Sequence, residues 1–444
     1  MMKALTRTTI ALIAVIVIIV AIAGIYYITQ QGPSSTATPT TSPSATSSPS
    51  TSPATSQSPT TSPSETTPLP GEGVKVAILF DVGGRGDLSF NDMAYLGAER
   101  ARQEFGVEVE YMTPRSLDDM VPLLQQLSES GEYDLLVLVG FLWTGALNQT
   151  VDQYPDQKFA LIDSSTGIVR DNEVDILFRE QECGALIGII ASGMAYSLNG
   201  STVGAVAGMD VPPLWKFHIG YLFGVKYFEM KTGKPVNFLW QYTGTFQDTQ
   251  VGYNTAWQLL QQDAKVLYGL AGLTHVGMFD AIIDWNEGGY GKAFGIGQDA
   301  SQEWYAPQYI PISGAKRVDV AVYTAIKMVV EGTWHGGIIT LGLNEGGVGI
   351  WDLDGVRTFA EIAYETGQLK DLTPDQVVQI VNETRNEYIP DYAWQLVNEL
   401  EEKIKNGEIV FKTPLTHEEY DQIIQELSAG NLDAALEQGS VMGE

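Results

Sequence analysis

Lys75-Val-Ala-Ile-Leu-Phe-Asp81, followed by Val82-Gly-Gly-Arg-Gly-Asp-Leu-Ser-Phe-Asn91, decides the fold class of this chain. An apolar run of strand length that breaks into a Gly-rich turn is the opening of an open α/β sheet. Such sheets take ligands at the carboxyl ends of their strands, which is where Asp81 to Asn91 fall. The turn carries carboxylates, a hydroxyl, an amide and one aromatic ring, with Arg85 its only cation. That chemistry suits a neutral, flat, hydroxyl-bearing ligand better than a phosphate. The turn reads as a binding site and not as a catalytic one.

Working outward, short apolar runs alternate with amphipathic segments, the signature of βαβ units and parallel sheets. Strands are expected at 75–81, 108–112, 135–140, 158–163 and 174–179, with helices at 91–105 and 116–130. Asn91 or Asp92 is placed to cap the first helix and Gly106 to end it. A second series follows, with helices at 183–198, 213–231, 248–262 and 274–285 and strands at 202–208, 237–242, 266–271 and 293–297. Two such series predict two doubly wound, Rossmann-like lobes joined by a hinge, with the ligand between them. The predicted lobe 1 is 73–180 plus 300–350, and lobe 2 is 181–299. Residues 373–427 carry two or three amphipathic helices, and 414–444 reads as an added helical tail of the 73–413 binding region.

The N-terminal end is different in kind. Residues 10–28 hold no charge and are long enough to span a bilayer, with Lys3 and Arg7 before them, so 1–31 is expected to be an uncleaved transmembrane anchor. Its alternative is a cleaved signal peptide. Residues 32–72 are mostly Ser, Thr and Pro, a composition that cannot offset its ordering entropy and predicts an extended stalk. The binding region would then sit outside the cell membrane, held by a single pass. Asn148, Asn199 and Asn382 head N-glycosylation triplets that arise often by chance.

Acids outnumber bases 54 to 25 for a net charge of −29, which excludes nucleic acid and anionic lipid surfaces as partners. The single cysteine, Cys183, lies in an apolar stretch and reads as a small core residue. The Gly84-x-Gly86 pair has Ser89 where a dinucleotide loop needs its third glycine. No phosphate-binding Walker loop or Gly-x-Ser-x-Gly elbow occurs, and His218, His275, His335 and His417 are scattered. Neither an enzyme nor a cofactor is expected.

Ionised carboxylates accept hydrogen bonds only, which fits the hydroxyls of a sugar, and an aromatic face stacks on a planar base. Asp81, Asp163 and Asp299 each end an apolar run and so point to the cleft mouth. Asp87 is better read as capping its own loop and helix. Ser89 and Asn91 share that ambiguity, Asn91 being the more plausible ligand contact. Spacing alone leaves Phe90 between stacking on a ligand and packing under its turn. Trp215 and Phe217, at helical spacing, are as readily core as ligand platform. Trp143 follows a strand and is placed to close the cleft. Lys316 follows Ser313-Gly-Ala315, read as a turn, and would donate to a base carbonyl or a sugar oxygen.

Asp81-Val-Gly-Gly-Arg-Gly-Asp-Leu-Ser-Phe-Asn91 resembles the opening signature of the basic-membrane-protein family, the PnrA-like purine nucleoside receptors of ABC importers. The likeness continues through Tyr154–Asp163, Glu182–Gly188, Val203–Gly208, Pro213–Val225, Thr243–Asp248, Phe294–Asp299, Ile312–Asp319 and Glu402–Val410. It implies a type I periplasmic-binding-protein-like fold and capture of a purine nucleoside for delivery to a permease and an ATPase on separate chains. It implies Asp81, Ser89, Phe90, Asn91, Asp163, Phe217, Asp299 and Lys316 as ligand-binding residues. A sugar receptor of the same fold, or a ligand-sensing surface receptor, is the alternative. Family members are commonly lipoproteins, whereas this chain has no cysteine near its apolar stretch.

Overall fold

The computed structural model describes residues 68–440. The expected anchor at 10–28 and the stalk up to residue 67 lie outside the described residues. Among the described residues, no helix is long and apolar enough to cross a membrane.

The chain first lays down β1 (Lys75–Leu79), α1 (Phe90–Phe105), β2 (Glu108–Met112), α2 (Met120–Ser130), β3 (Leu135–Val139), α3 (Thr144–Thr150), β4 (Lys158–Ile162) and β5 (Glu173–Phe178). It then builds α4 (Glu180–Ser197), β6 (Thr202–Ala207), α5 (Pro212–Thr232), β7 (Asn237–Tyr242), α6 (Thr249–Gln261), β8 (Ala264–Leu270), α7 (Leu273–Glu287), β9 (Phe294–Asp299) and β10 (Ile312–Lys316). The remainder is α8 (Val318–Val330), β11 (Gly337–Leu341), β12 (Val348–Ile350), α9 (Leu353–Glu365), α10 (Pro374–Tyr388), α11 (Asp391–Lys405) and α12 (His417–Ser428).

These strands form two six-stranded sheets, ordered β11-β5-β4-β3-β1-β2 and β12-β10-β9-β8-β6-β7. All pairings are parallel except β10 with β12. The central strands, such as Leu135-Leu-Val-Leu-Val139, are buried on both faces because helices cover both sides of each sheet. Their apolar runs are therefore continuous and do not alternate.

The second lobe does not end at 299 as expected. β10 and β12 belong to the second sheet, and only α8 and β11 return to the first. Small side chains explain why Ile312–Lys316 is a strand and not the turn that Ser-Gly-Ala suggested: Gly314 lies against the side chains of Gln298, Cys183 and Tyr268, leaving no room for a Cβ. The chain thus passes between lobes three times, after β5, after β10 and after β11. The crossings are tied together by Arg179 N–H to Leu341 O at 3.0 Å and Arg317 N–H to Gly347 O at 2.8 Å.

α4 is buried almost end to end and crosses α5 at backbone contact. Gly184 and Gly188 on one helix meet carbonyls of Phe217 and Tyr221, while Gly220 and Gly224 on the other meet carbonyls of Gln181 and Ala185. A side chain at any of these positions would push the helices apart. The C-terminal segment is not a detached tail. α12 packs on α5, where Tyr420 stacks on Trp215 at 5.4 Å and accepts or donates a 2.7 Å hydrogen bond with His218 Nδ1.

Candidate functional site

The two lobes meet around a cavity lined by residues of both, the usual setting of a small-molecule site. It is walled by segments at the carboxyl ends of strands in both sheets: the turn after β1, Gly140–Leu142 after β3, Asp163 after β4, Leu270–Leu273 after β8, and Asp299 and Lys316 at the ends of β9 and β10. The first two turns of α5, with Pro213, Leu214 and Phe217, close one side.

Seven of the eight predicted residues line this cavity: Asp81, Phe90, Asn91, Asp163, Phe217, Asp299 and Lys316. Ser89 does not. It is fully buried behind the wall, where its hydroxyl donates to Gln298 O at 3.0 Å and meets Asp299 Oδ2 at 2.5 Å. Trp143 does not close the cleft either. Its ring is wholly buried in the first lobe and its indole N–H donates to Phe80 O at 3.1 Å. Between β3 and Trp143, Gly140 has φ 106°, a left-handed conformation that glycine adopts freely.

The turn after β1 organises itself around two acids. Asp87 accepts from the backbone N–H groups of Ser89, Asn91 and Asp92 at 3.0, 2.8 and 3.1 Å, so it caps α1. The helix starts at Phe90 with Ser89 at the N-cap position, two residues before Asn91, the earlier of the two expected caps. Burial, with Asp92 nearby, raises the Asp87 carboxyl to about 8. Asp81 Oδ1 accepts from Gly83 N–H at 2.7 Å and Asn91 Nδ2 at 2.8 Å, and burial raises its carboxyl above the ordinary range. Asn91 gives its second amide proton to Asp87 Oδ2 at 3.1 Å and accepts from Asp81 N–H at 3.2 Å. Both amide protons are therefore committed to carboxylates, and Asn91 holds Asp81 in place. Arg85, the turn's cation, stacks on Tyr95 at 3.4 Å and pairs with Asp92 at 2.6 Å, outside the cavity lining.

Asp163 and Asp299 occupy equivalent places in the two lobes, and both adopt left-handed backbone, at φ 68° and 72°. Asp tolerates that region better than most residues, and strain of this kind clusters at binding sites. Asp163 Oδ2 pairs with Lys316 Nζ at 2.6 Å, Lys316 reaches Glu180 Oε1 at 2.9 Å, and Glu180 Oε2 pairs with Lys216 at 2.6 Å. Lys216 also donates to Phe178 O at 2.9 Å. Lys316 is thus no surface lysine. It is 2% exposed and carries its charge between the lobes. Burial would lower its ammonium, but Asp163, Glu180 and Asp299 outweigh that and raise it. Burial likewise opposes ionisation of Glu180, yet Lys216 and Lys316 hold that carboxyl down at about 2. Asp163 goes the other way: burial lifts it to about 8 against the pull of Lys316. Its Oδ1 is buried without a protein hydrogen-bond partner.

Lys316 Nζ lies 5.3 Å from the Phe90 ring centroid and 5.5 Å from that of Phe217. Phe90 belongs to the first lobe and Phe217 to the second. The cavity therefore holds an aromatic ring from each lobe beside inward-facing carboxylates. Its one lining cation is already paired. That arrangement is chemically suited to a flat ligand rich in hydrogen-bond donors and offers an anion no free cation. Among the described residues, no group of three or more His, Cys, Asp or Glu is placed to hold a metal ion.

The family model described as ABC transporter substrate-binding protein PnrA-like matches residues 74–390. The chain belongs to this family. A protein of known structure, described as an ABC transporter system solute-binding protein from Aeropyrum pernix K1, is 57% identical. It superposes with a TM-score of 0.81 over 82% of this chain and 100% of that one. A protein of Pyrococcus abyssi named uncharacterized lipoprotein is 79% identical over 368 residues, 83% of this chain and 91% of its own. Basic membrane protein A of Borreliella burgdorferi is 29% identical over 280 residues, covering 62% of this chain and 78% of that protein. The two-lobe periplasmic-binding-protein-like fold expected from the sequence is the fold found.

Sequence reasoning missed several cavity residues, among them His275, Phe246 and the Leu270–Leu273 loop. They follow β7 and β8, so the same strand-end rule would have located them. His275 gives no donor to the cavity. Its Nδ1 accepts from Ala271 N–H at 3.1 Å, and burial lowers the ring to about 4, so a neutral imidazole carries its proton on Nε2. That proton points to Gln302 Oε1 at 3.1 Å.

Proposed function

We propose that this solute-binding protein captures a purine nucleoside between its lobes and delivers it to a membrane permease driven by a separate ATPase. The observation that carries the reading is the pairing of Phe90 and Phe217, one from each lobe, around a space bordered by Asp81, Asp163 and Asp299. A purine between two rings gains about 1–3 kcal/mol of stacking per aromatic contact. Ribose hydroxyls would donate to Asp299 and to the unpartnered Oδ1 of Asp163. The free oxygen of Asp81, whose Oδ1 is committed within the turn, suits an N–H group on the base edge. Capture and release involve no bond making, so the protein acts as a receptor and not as an enzyme.

We further propose that the binding lobes stand outside the cell membrane, tethered through residues 10–28. Relatives named lipoproteins support a membrane tether. Cys183, the single cysteine of the sequence, is fully buried in α4 and offers no thiol to a lipid. Mass spectrometry of small molecules released by denaturing the freshly purified protein tests the ligand assignment. A purine nucleoside is expected at near one equivalent. A pentose or hexose in its place would replace this reading with that of a sugar receptor.

A further inference from the structure

Behind the cavity wall, Gln302 bonds across from one lobe to the other without itself lining the cavity. Gln302 follows β9 of the second sheet and is fully buried. Its Oε1 accepts from Gln298 N–H at 2.9 Å and from His275 Nε2, whose ring forms part of the cavity wall. Its Nε2 donates to Leu88 O at 3.0 Å, in the turn after β1 of the first sheet. Leu88 itself has left-handed backbone at φ 55°, one residue before Ser89 and two before Phe90. Gly297 makes the arrangement possible, since a Cβ there would stand 2.6 Å from Gln302 Oε1.

We infer that Gln302 is a clasp: it fixes the first-lobe turn that carries Phe90 against the second-lobe wall, and so sets the balance between open and closed lobes without touching the ligand. Both ends of the Gln302 amide are used: the oxygen bonds only within the second lobe, and the nitrogen, which also lies 2.9 Å from His275 Nε2, donates across to Leu88 O. The oxygen secures the clasp within the second lobe, and the nitrogen reaches across. The Ser89 hydroxyl on Gln298 O, 3.0 Å away, is a second cross-lobe bond beside it. Opening the cleft must break both, and closing it must remake both.

Gln302→Glu separates the two functions, because a carboxylate still accepts from His275 and Gln298 but cannot donate to the Leu88 carbonyl. The separation of the lobes is read from spin labels on Glu129→Cys in α2 and Gln258→Cys in α6, both exposed, with Cys183 buried and unreactive. In the ligand-free protein, Gln302→Glu is expected to move the distance distribution toward the longer, open separation. Gln302→Met, which removes both amide groups at similar length, should shift it at least as far and serves if the glutamate variant does not fold. Nucleoside dissociation should become about two- to tenfold faster in either variant, the loss of one net hydrogen bond. Ligand-free distributions that superimpose on the wild-type one overturn the inference. Because that comparison needs no ligand, it stands apart from the nucleoside assignment: a wild-type protein that binds no nucleoside refutes the assignment and leaves the clasp to be decided by the distances.

Discussion

Replacing Lys316 with methionine is expected to lower the stability of the ligand-free protein by about 3–5 kcal/mol at pH 7, the cost of leaving buried partner charges uncompensated. Lys316 stands between Asp163 and Glu180, whose side chains are 6% and 0% exposed. Methionine keeps the volume and removes the charge. The loss should depend on pH. The folded Glu180 carboxyl, at about 2, lies below its ordinary 4.5, so its contribution is full above pH 4.5 and is lost as the pH falls toward 2. The gap between wild type and Lys316→Met is therefore widest near neutrality and narrows below pH 4.5. Adding Asp163→Asn should restore part of the loss, because Asp163 is the group that Lys316→Met leaves without an ion-pair partner, whereas Glu180 keeps Lys216. Urea unfolding at pH 7 and pH 4 checks all three variants. A double variant no more stable than Lys316→Met, or a gap that widens in acid, contradicts the charge chain.

Phe90→Ala and Phe217→Ala should differ in kind. Phe90 is half-buried at the cavity wall, so its removal is expected to weaken nucleoside binding by about 1–3 kcal/mol, or roughly 5- to 150-fold, with little change in ligand-free melting. Phe217 is 3% exposed, sits in α5 and packs edge-on against Tyr268 at 6.3 Å. Its truncation should cost about 3–5 kcal/mol of stability in addition to affinity. Calorimetric titration and ligand-free melting, measured on both variants, separate the two roles. A Phe90→Ala protein that melts far lower yet binds normally makes Phe90 a core residue and leaves the base without its first-lobe platform.

The contrast between these rings shows what the sequence reveals and what it hides. Strand ends are legible, because an apolar run closing on an acid places that acid at the cleft; Asp81, Asp163 and Asp299 all lie there. Long-range partners are not. Nothing local to Ser89 says that its hydroxyl faces Asp299, more than two hundred residues away, and nothing near Lys316 names Asp163. The lysine's surroundings misled in a second way: Ser-Gly-Ala has the composition of a turn, but a strand packed against Cys183, Gln298 and Tyr268 admits only small side chains. Asn91 was legible as part of the site and not in its role, since its amide is spent holding Asp81 and Asp87. Lobe boundaries failed for a topological reason. β10 continues the second sheet before the chain crosses, and no local signal marks which sheet a strand will join.

The central claim is that the cavity takes an uncharged purine nucleoside, and isothermal titration with guanosine, adenosine and inosine against their 5′-monophosphates tests it most directly. Asp81, Asp87, Asp163 and Asp299 surround the ligand space, and the one lining cation, Lys316, is engaged by Asp163 and Glu180. A phosphate brought there would lose its hydration with no free cation to pair with, whatever protons the raised carboxyls of Asp87 and Asp163 hold. At least one nucleoside is expected to bind well ahead of its monophosphate. Equal or tighter binding of the monophosphate contradicts the account.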